Sequence, residues 1–317
     1  MKISELTHGA KIEATFYALS SEVRTSSAGN PFISASLRDT EGDTIRAVFF
    51  DPPPSLIKEP LSGQTVDIRA NADTFRNQLN LKLESMVLSK TQLDATALLP
   101  KASKSPEVLS EQLSEVLGLI DNVEISDVIA AVLHNEHVSS KLERWPAAKS
   151  RHHASVGGLL EHILELVQIA EVVAELYEEI DRDLLIAGCI LHDIGKVVEL
   201  DVDDDFRYTA TGVMIGHIVI GDELVGEACK ATDCSKDTEL RLRHMVLSHH
   251  GTKEWGAPVV PQTAEAMALH HIDQISSQTR QAIDKVKEAE NKKDTSSFGN
   301  YDRTWNRNWY VGLENSE

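Results

Sequence analysis

From Lys11 to Leu88, apolar and polar side chains alternate in short runs, and that period of two predicts strands. Lys11–Arg24 carries Phe16, Tyr17, Leu19 and Val23; Phe32–Leu37 alternates; Thr44–Phe50 follows the turn Glu41-Gly42-Asp43. Pro52-Pro53-Pro54 stops the third run, a short helix fits Ser55–Glu59, and two more strands fit Thr65–Ala70 and Leu79–Leu88. Beyond Lys90 the period lengthens. Ser105-Pro106-Glu107 reads as a helix start, with Ser105 as cap and Pro106 at the first helical position. Helical segments then run through Ile120, over Ile125–Leu133 and near Ser139–Leu142, until Trp145-Pro146. From Ala154 the stripe Ile163, Leu166, Val167, Ala170, Val173, Ala174 and Tyr177 predicts an amphipathic helix. The next, capped by Asp181, passes through the wholly apolar stretch to Leu191. An apolar segment Val213–Ile220, a helix from Thr238 to His249-His250-Gly251, and a long helix from Thr263 to about Lys293 complete the pattern.

Five strands with a helical insert after the third is the order of an OB-fold barrel. The chain is therefore expected to be α+β and multidomain. Residues 1–90 form the barrel, 91–150 a connector and helical spacer, 151–293 an all-α domain, and 294–317 a tail. OB barrels bind single strands through aromatic platforms in a basic groove. Phe16, Tyr17, Phe32, Phe49, Phe50 and Phe75 are the candidate platforms, and Arg24, Arg38, Arg46, Arg69 and Arg76 the candidate phosphate partners. For any one aromatic the interior of a small barrel is the commoner place.

Candidate chemistry gathers in the helical part. His192-Asp193 stands at the inner end of a buried helix, just before Ile194-Gly195-Lys196. Neighbouring helical residues point about 100° apart, so the two side chains converge only if the helix ends or bends there; Gly195 is placed to end it. An unpaired buried carboxylate is very costly, and a divalent cation is the obvious partner. Taken alone, the pair reads better as a hydrogen-bonded structural pair. His162, His217, His249, His250 and Asp273, each in or beside an apolar helical segment, change that reading. Imidazole plus carboxylate, without thiolate, suits Mn, Fe, Zn or Mg.

Five stretches carry a resemblance: Gly157-Gly158-Leu159-Leu160-Glu161-His162, Leu191-His192-Asp193-Ile194-Gly195-Lys196, Gly216-His217-Ile218, Leu247-Ser248-His249-His250-Gly251 and Leu269-His270-His271-Ile272-Asp273. Together they resemble the HD-domain metal-dependent phosphohydrolases, and most closely the branch of YhaM-type 3′→5′ exoribonucleases. Asn30-Pro31-Phe32 and Leu37-Arg38-Asp39 extend the likeness into the barrel, although Phe50 stands where a tryptophan is expected. The resemblance implies an OB-fold followed by an HD domain. It also implies a 3′→5′ exonuclease on single-stranded nucleic acid, RNA ahead of DNA, working with two divalent ions. Manganese is the first expectation, with Mg, Fe, Co or Zn as alternatives. One ion would take His162, His192, Asp193 and Asp273; the other would share Asp193 and take His217, His249 and His250. Asp193 and Lys196 would be catalytic, with Lys196 at a non-bridging phosphate oxygen; its plain reading is a lysine on a helix C-terminal dipole. The resemblance gives His270 only a supporting place beside Asp273.

Charge cuts against a long polyanion. The net charge is −19, and the imbalance is local: residues 1–90 carry 10 basic and 11 acidic side chains, leaving 21 basic and 39 acidic to the rest. It keeps an alternative in play, a phosphohydrolase of nucleotides or cyclic dinucleotides whose barrel serves assembly. A binding module with a purely structural metal is the third reading, opposed by the full ligand set and Lys196. No apolar run reaches membrane-spanning length, no signal-peptide pattern opens the chain, and the cysteines (Cys189, Cys229, Cys234) form no CxxC pair. These features predict a cytoplasmic protein, with assembly into a homo-oligomer left open. Asp201–Asp205 reads as a solvated acidic turn. The tail, with Trp305, Trp309 and Tyr310 among Arg303 and Arg307, either meets a nucleic-acid strand or docks on its own domain.

Overall fold

The computed structural model describes residues 1–75, 78–149, 153–291 and 297–312. The chain forms two compact units, Met1–Lys101 with Val202–Arg207, and Ala102–Asp201 with Tyr208–Glu317.

The first unit is a closed five-stranded barrel of β1 (Lys11–Thr25), β2 (Pro31–Arg38), β3 (Thr44–Phe49), β4 (Gln64–Phe75) and β5 (Gln78–Leu88), in the order β1-β2-β3-β5-β4. Helix α1 (Pro54–Lys58) follows β3, as the proline run requires. All pairings are antiparallel except β3 with β5, which closes the barrel in parallel. Period-two alternation puts Phe16, Ile33, Leu37, Val66 and Leu81 in the interior with no exposed surface, and Leu56 of α1 joins them. β4 runs past the expected Ala70 to Phe75 because β5 pairs with it through Gln78.

The interior decides most of the aromatic candidates. Phe16, Tyr17 and Phe49 are buried; Phe32 is half-buried and tilted against Phe50, their rings 5.9 Å apart. Phe50 and Phe75 alone among them are exposed, at 51% and 60%. Arg38 is also withdrawn. It is 4% exposed and donates to the Asp204 carbonyl at 2.7 Å and to Asp205 at 2.9 Å. The acidic turn is therefore not simply solvated, because part of it neutralises a buried guanidinium. Arg76 lies outside the described residues.

The second unit is helical. It holds α2 (Pro106–Leu117), α3 (Val123–His134), α4 (Glu136–Ser139), α5 (Gly158–Leu176), α6 (Arg182–Leu191), α7 (Lys196–Glu199), α8 (Ala210–Ile215), α9 (His217–Thr232), α10 (Lys236–Ser248) and α11 (Ala264–Asn291). Two small hairpins accompany the helices: β6 (Leu200–Val202) with β7 (Phe206–Tyr208), whose Val202–Arg207 belongs to the first unit, and β8 (Phe298–Asp302) with β9 (Arg307–Tyr310) after α11. The expected caps hold: the Ser105 and Asp181 side chains each accept from a backbone N–H of the first turn; α10 begins two residues before the expected Thr238, capped by Ser235. Near Ser139–Leu142 the expected helix is instead α4 followed by a 3-10 turn, Leu142–Arg144. α5 begins four residues later than its stripe suggested, because Gly157 before it is left-handed (φ 82°). The end of α11 predicted near Lys293 lies outside the described residues. Every residue of α6 from Leu184 to Leu191 is buried, packed by α3, α5, α10 and α11. Among the described residues no helix is long and apolar enough to cross a membrane.

The burial pattern predicts a split between the barrel's phenylalanines. Phe16→Ala should lower stability by about 3–5 kcal/mol, and Phe50→Ala by under about 0.5 kcal/mol. Urea unfolding of the two variants checks this; a larger loss for Phe50 would contradict the assigned interior.

Candidate metal centre

α6 ends at Leu191, His192 caps it, and Asp193 begins a tight turn into α7. The Ile194 N–H returns to the Leu191 carbonyl (3.2 Å) and the Lys196 N–H to the Asp193 carbonyl (3.0 Å). That turn aims two neighbouring side chains at one point, as the sequence required. Gly195 has a different part from the one expected. It is right-handed (φ −62°, ψ −16°) and ends nothing. A Cβ there would stand 2.1 Å from the His217 carbonyl oxygen and 2.7 Å from the Gly221 nitrogen. The glycine is a contact point that lets the start of α9, and with it His217, press against the His-Asp turn.

The seven expected side chains converge. His162, His192 and Asp193 form one group, and His217, His249 and His250 another; within each, one ligand atom per residue lies within 4.8 Å of the others. Asp193 stands between the groups and divides its oxygens. Oδ2 is 3.3 Å from His192 Nε2 and 3.8 Å from His162 Nε2; Oδ1 is 3.4 Å from His217 Nε2 and 3.7 Å from His249 Nε2. Asp273, from α11, reaches His162 Nε2 at 3.3 Å. His249 and His250 meet edge-on, ring centres 4.5 Å apart.

Each imidazole is held by its other nitrogen. The Nδ1 atoms of His192, His249 and His250 bond the carbonyls of Cys189 (2.9 Å), Val246 (2.7 Å) and Trp255 (2.8 Å). His217 Nδ1 bonds Glu199 Oε1 at 3.0 Å, and His162 Nδ1 bonds Ser276 Oγ at 3.3 Å. All five rings thus turn Nε2 toward Asp193 and its neighbours, the orientation in which second partners fix metal-ligating histidines. Three of those Nε2 atoms, on His192, His217 and His249, are buried without a hydrogen-bond partner among the described residues, as is Asp193 Oδ1. Such atoms cost stability unless something pairs with them. A divalent cation fits this donor set.

The protonation pattern follows from burial and one short ion pair. Burial holds the His249 imidazolium far below its usual range and lowers His162 and His250 as well. Burial opposes charge on Asp193, yet Lys196 and His192 together hold its carboxyl well below the usual range. The same carboxylate overcomes burial to raise His192 and Lys196. Lys196 Nζ is 2.6 Å from Asp193 Oδ2. It belongs to the single turn of α7 and pairs with Asp193. A cleft of about 530 Å³ opens beside Asp193, Lys196, His250 and Asp273.

The groups that support the ligands have no sequence signature. Glu199 accepts from both the backbone N–H and Nδ1 of His217, and no spacing rule links positions 18 apart. His153, buried, pairs with Glu161 (3.1 Å) and Glu165 (3.2 Å), its ring 5.4 Å from that of His162. Its hydrogen bond holds the Glu161 carboxyl down at about 2. His270 keeps its supporting place: Nδ1 bonds the His249 carbonyl at 2.8 Å.

Residues 159–278 match the HD domain family. The 3′-5′ exoribonuclease YhaM of Oceanobacillus iheyensis is 35% identical over 271 residues, which cover 84% of each chain. Among solved structures, the second OB-fold domain of replication protein A from Methanococcus maripaludis aligns at 16% identity over 30% of this chain and 98% of its own, with a TM-score of 0.23. An asparaginyl-tRNA synthetase of Entamoeba histolytica aligns at 17% identity over 43% and 35%, with a TM-score of 0.24.

Gly195→Ala should lower stability by about 1–3 kcal/mol, since backbone rather than a flexible side chain must give way. It should also weaken divalent-cation binding by displacing His217. Denaturant titration and calorimetric metal titration check both effects; wild-type values in each would contradict the close approach.

Proposed function

The chain belongs to the family of YhaM 3′-5′ exoribonucleases, and from that premise we propose that it is a metal-dependent 3′→5′ exonuclease acting on single-stranded RNA through two divalent ions. One observation carries the two-ion reading: a single buried carboxylate, Asp193, turns one oxygen toward His162 and His192 and the other toward His217 and His249, and the Nε2 atoms of His192, His217 and His249 have no hydrogen-bond partner among the described residues. His162, His192, Asp193 and Asp273 would hold one ion, and Asp193, His217, His249 and His250 the other. Manganese is the expected occupant, and imidazole with carboxylate ligands equally admits Fe, Co or Zn. Bound divalent ions supply positive charge to a phosphoryl oxygen and make water a stronger nucleophile at neutral pH.

The chain's own residues do the rest. The Nδ1 anchors keep the rings from turning, so the donor set is organised before substrate arrives. Burial keeps His162, His249 and His250 neutral, as ligation requires; His192, made more basic by Asp193, would hold an ion in its neutral form. Lys196 stays protonated beside Asp193 and opens on the cleft, where its ammonium neutralises a non-bridging phosphate oxygen.

The barrel supplies what an acidic helical unit lacks. Its near-neutral balance and a surface groove with Arg46 among Ser20, Ser34 and Ser36, beside Arg24 paired with Glu22 at 3.0 Å, suit the phosphates of a single strand. Exposed Phe50, with Lys82 Nζ 6.0 Å from its ring centre, is the candidate base platform. The reading places the protein in the cytoplasm, where RNA turnover occurs.

Incubating the full chain with labelled single strands and a nucleotide panel in Mn tests the proposal. Strand shortening from the 3′ end, ahead of any nucleotide hydrolysis, is expected; hydrolysis of nucleotides alone would overturn it. Asp193→Ala should reduce turnover to background, as should excess chelator. Lys196→Ala should lower kcat by about 100-fold with metal content unchanged, measured by elemental analysis; loss of metal instead would make Lys196 structural. Arg46→Ala should flatten the salt dependence of strand affinity by about 0.7 in log–log slope. An unchanged slope would remove Arg46 from the strand path.

A further inference from the structure

The mouth of the catalytic cleft is built partly by the end of the chain. The β8–β9 hairpin packs on α11, close enough that a Cβ at Gly299 would stand 2.5 Å from the Ala289 Cβ. Its turn brings Trp305 to the lining of the cleft that contains Asp193 and Lys196. The indole is braced from behind. Trp309 meets it nearly edge-on, ring centres 5.8 Å apart, and the Arg307 guanidinium lies 5.5 Å from the Trp305 ring centre and 5.6 Å from that of Trp309. Arg307 Nε also donates to the Trp305 carbonyl at 3.1 Å. Trp309 is itself fixed, its Nε1 donating to Asp302 at 3.3 Å.

Between the metal ligands and the hairpin, α11 lines the cleft with Gln274 and Gln278, side-chain amides bonded to each other. Trp255, 54% exposed on the loop after His250, lines it too. A cleft of about 530 Å³ is in the range of small-ligand pockets, room for one nucleotide and not for a length of strand. A braced indole with amide groups beside it, next to a phosphate-reactive centre, is the chemistry that recognises a nucleobase. Stacking is tolerant of base identity because every base has a π face, and the amides offer both donors and acceptors.

We infer that Trp305 is a stacking residue for the base of the 3′-terminal nucleotide, so that the C-terminal hairpin positions the end of the strand at the metal centre. The inference rests on the exonuclease reading above and adds a named positioning residue. It also gives the tail both of its expected roles, because docking on its own domain is what brings Trp305 to the substrate.

The test uses the full chain with Mn, as wild type, Trp305→Ala and Trp305→Tyr. Two single strands are compared, one ordinary and one whose 3′-terminal nucleotide lacks its base. Release of the terminal nucleotide is followed as KM and kcat, with thermal unfolding and metal content as checks on the fold. Wild type should handle the ordinary strand better than the abasic one. Trp305→Ala should raise KM on the ordinary strand by about tenfold or more, closing the gap between strands, with the loss in KM rather than kcat. Trp305→Tyr should recover most of it. A Trp305→Ala enzyme that keeps the wild-type gap, or loses equally on both strands, overturns the inference. A wild-type chain that shortens neither strand overturns the exonuclease reading itself, and the inference with it.

Discussion

The structure turns on the burial of one charged carboxylate. Asp193 is 3% exposed and its carboxyl is held ionised, so its charge must be balanced at short range. Lys196 balances one oxygen at 2.6 Å; the imidazole nitrogens around both oxygens face inward, three of them without a hydrogen-bond partner among the described residues. The carboxylate makes His192 more basic against the effect of its burial, and a bound cation would supply positive charge at the same place. The helical unit can be understood as the frame that keeps five rings pointed at that carboxylate. The anchoring carbonyls of Cys189 and Val246 belong to the last turns of α6 and α10, where helix carbonyls lack partners within the helix. Ending a helix on its histidine thus satisfies a stray carbonyl and orients a ligand with one bond.

Close approach of backbone is the second requirement. Glycines 195, 212 and 251 all touch the centre's framework. Ideal Cβ atoms at these positions would fall 2.1 Å from the His217 carbonyl, 2.2 Å from the Glu199 carbonyl and 2.3 Å from the His270 ring. Each of these neighbours either is a candidate ligand or holds one. Elements far apart in sequence reach one small volume because side chains are absent where they cross. The cleft then opens toward α11 and the C-terminal hairpin, so recognition is built on the same helix that supplies Asp273.

Much of this was legible in the sequence. The alternation of Lys11–Leu88 predicts the strands closely, because in a small barrel one face of every strand must be interior. The apolar run before His192 predicts a buried helix ending in a charged pair. What sequence does not carry is which residue faces which way when both readings share a period. Phe16 and Phe50 look alike as candidates, and only closure of the barrel buries the first and exposes the second. Gly195 reads as a helix stop because glycine commonly is one; its contact with His217 depends on a crossing 22 residues away. Glu199 and Ser276 are invisible for the same reason, since a supporting hydrogen bond imposes no spacing. Arg38 and Asp205, 167 positions apart, form an ion pair that charge counting spreads over two distant segments.

The central claim is that Asp193 is shared between two divalent ions. Crystals of the full chain grown with Mn and measured at the manganese edge test it most directly. Two anomalous peaks flanking the Asp193 carboxylate, one near His162, His192 and Asp273 and one near His217, His249 and His250, are the predicted result. A single peak, or ions that leave the His217 group unoccupied at saturating Mn, would contradict it.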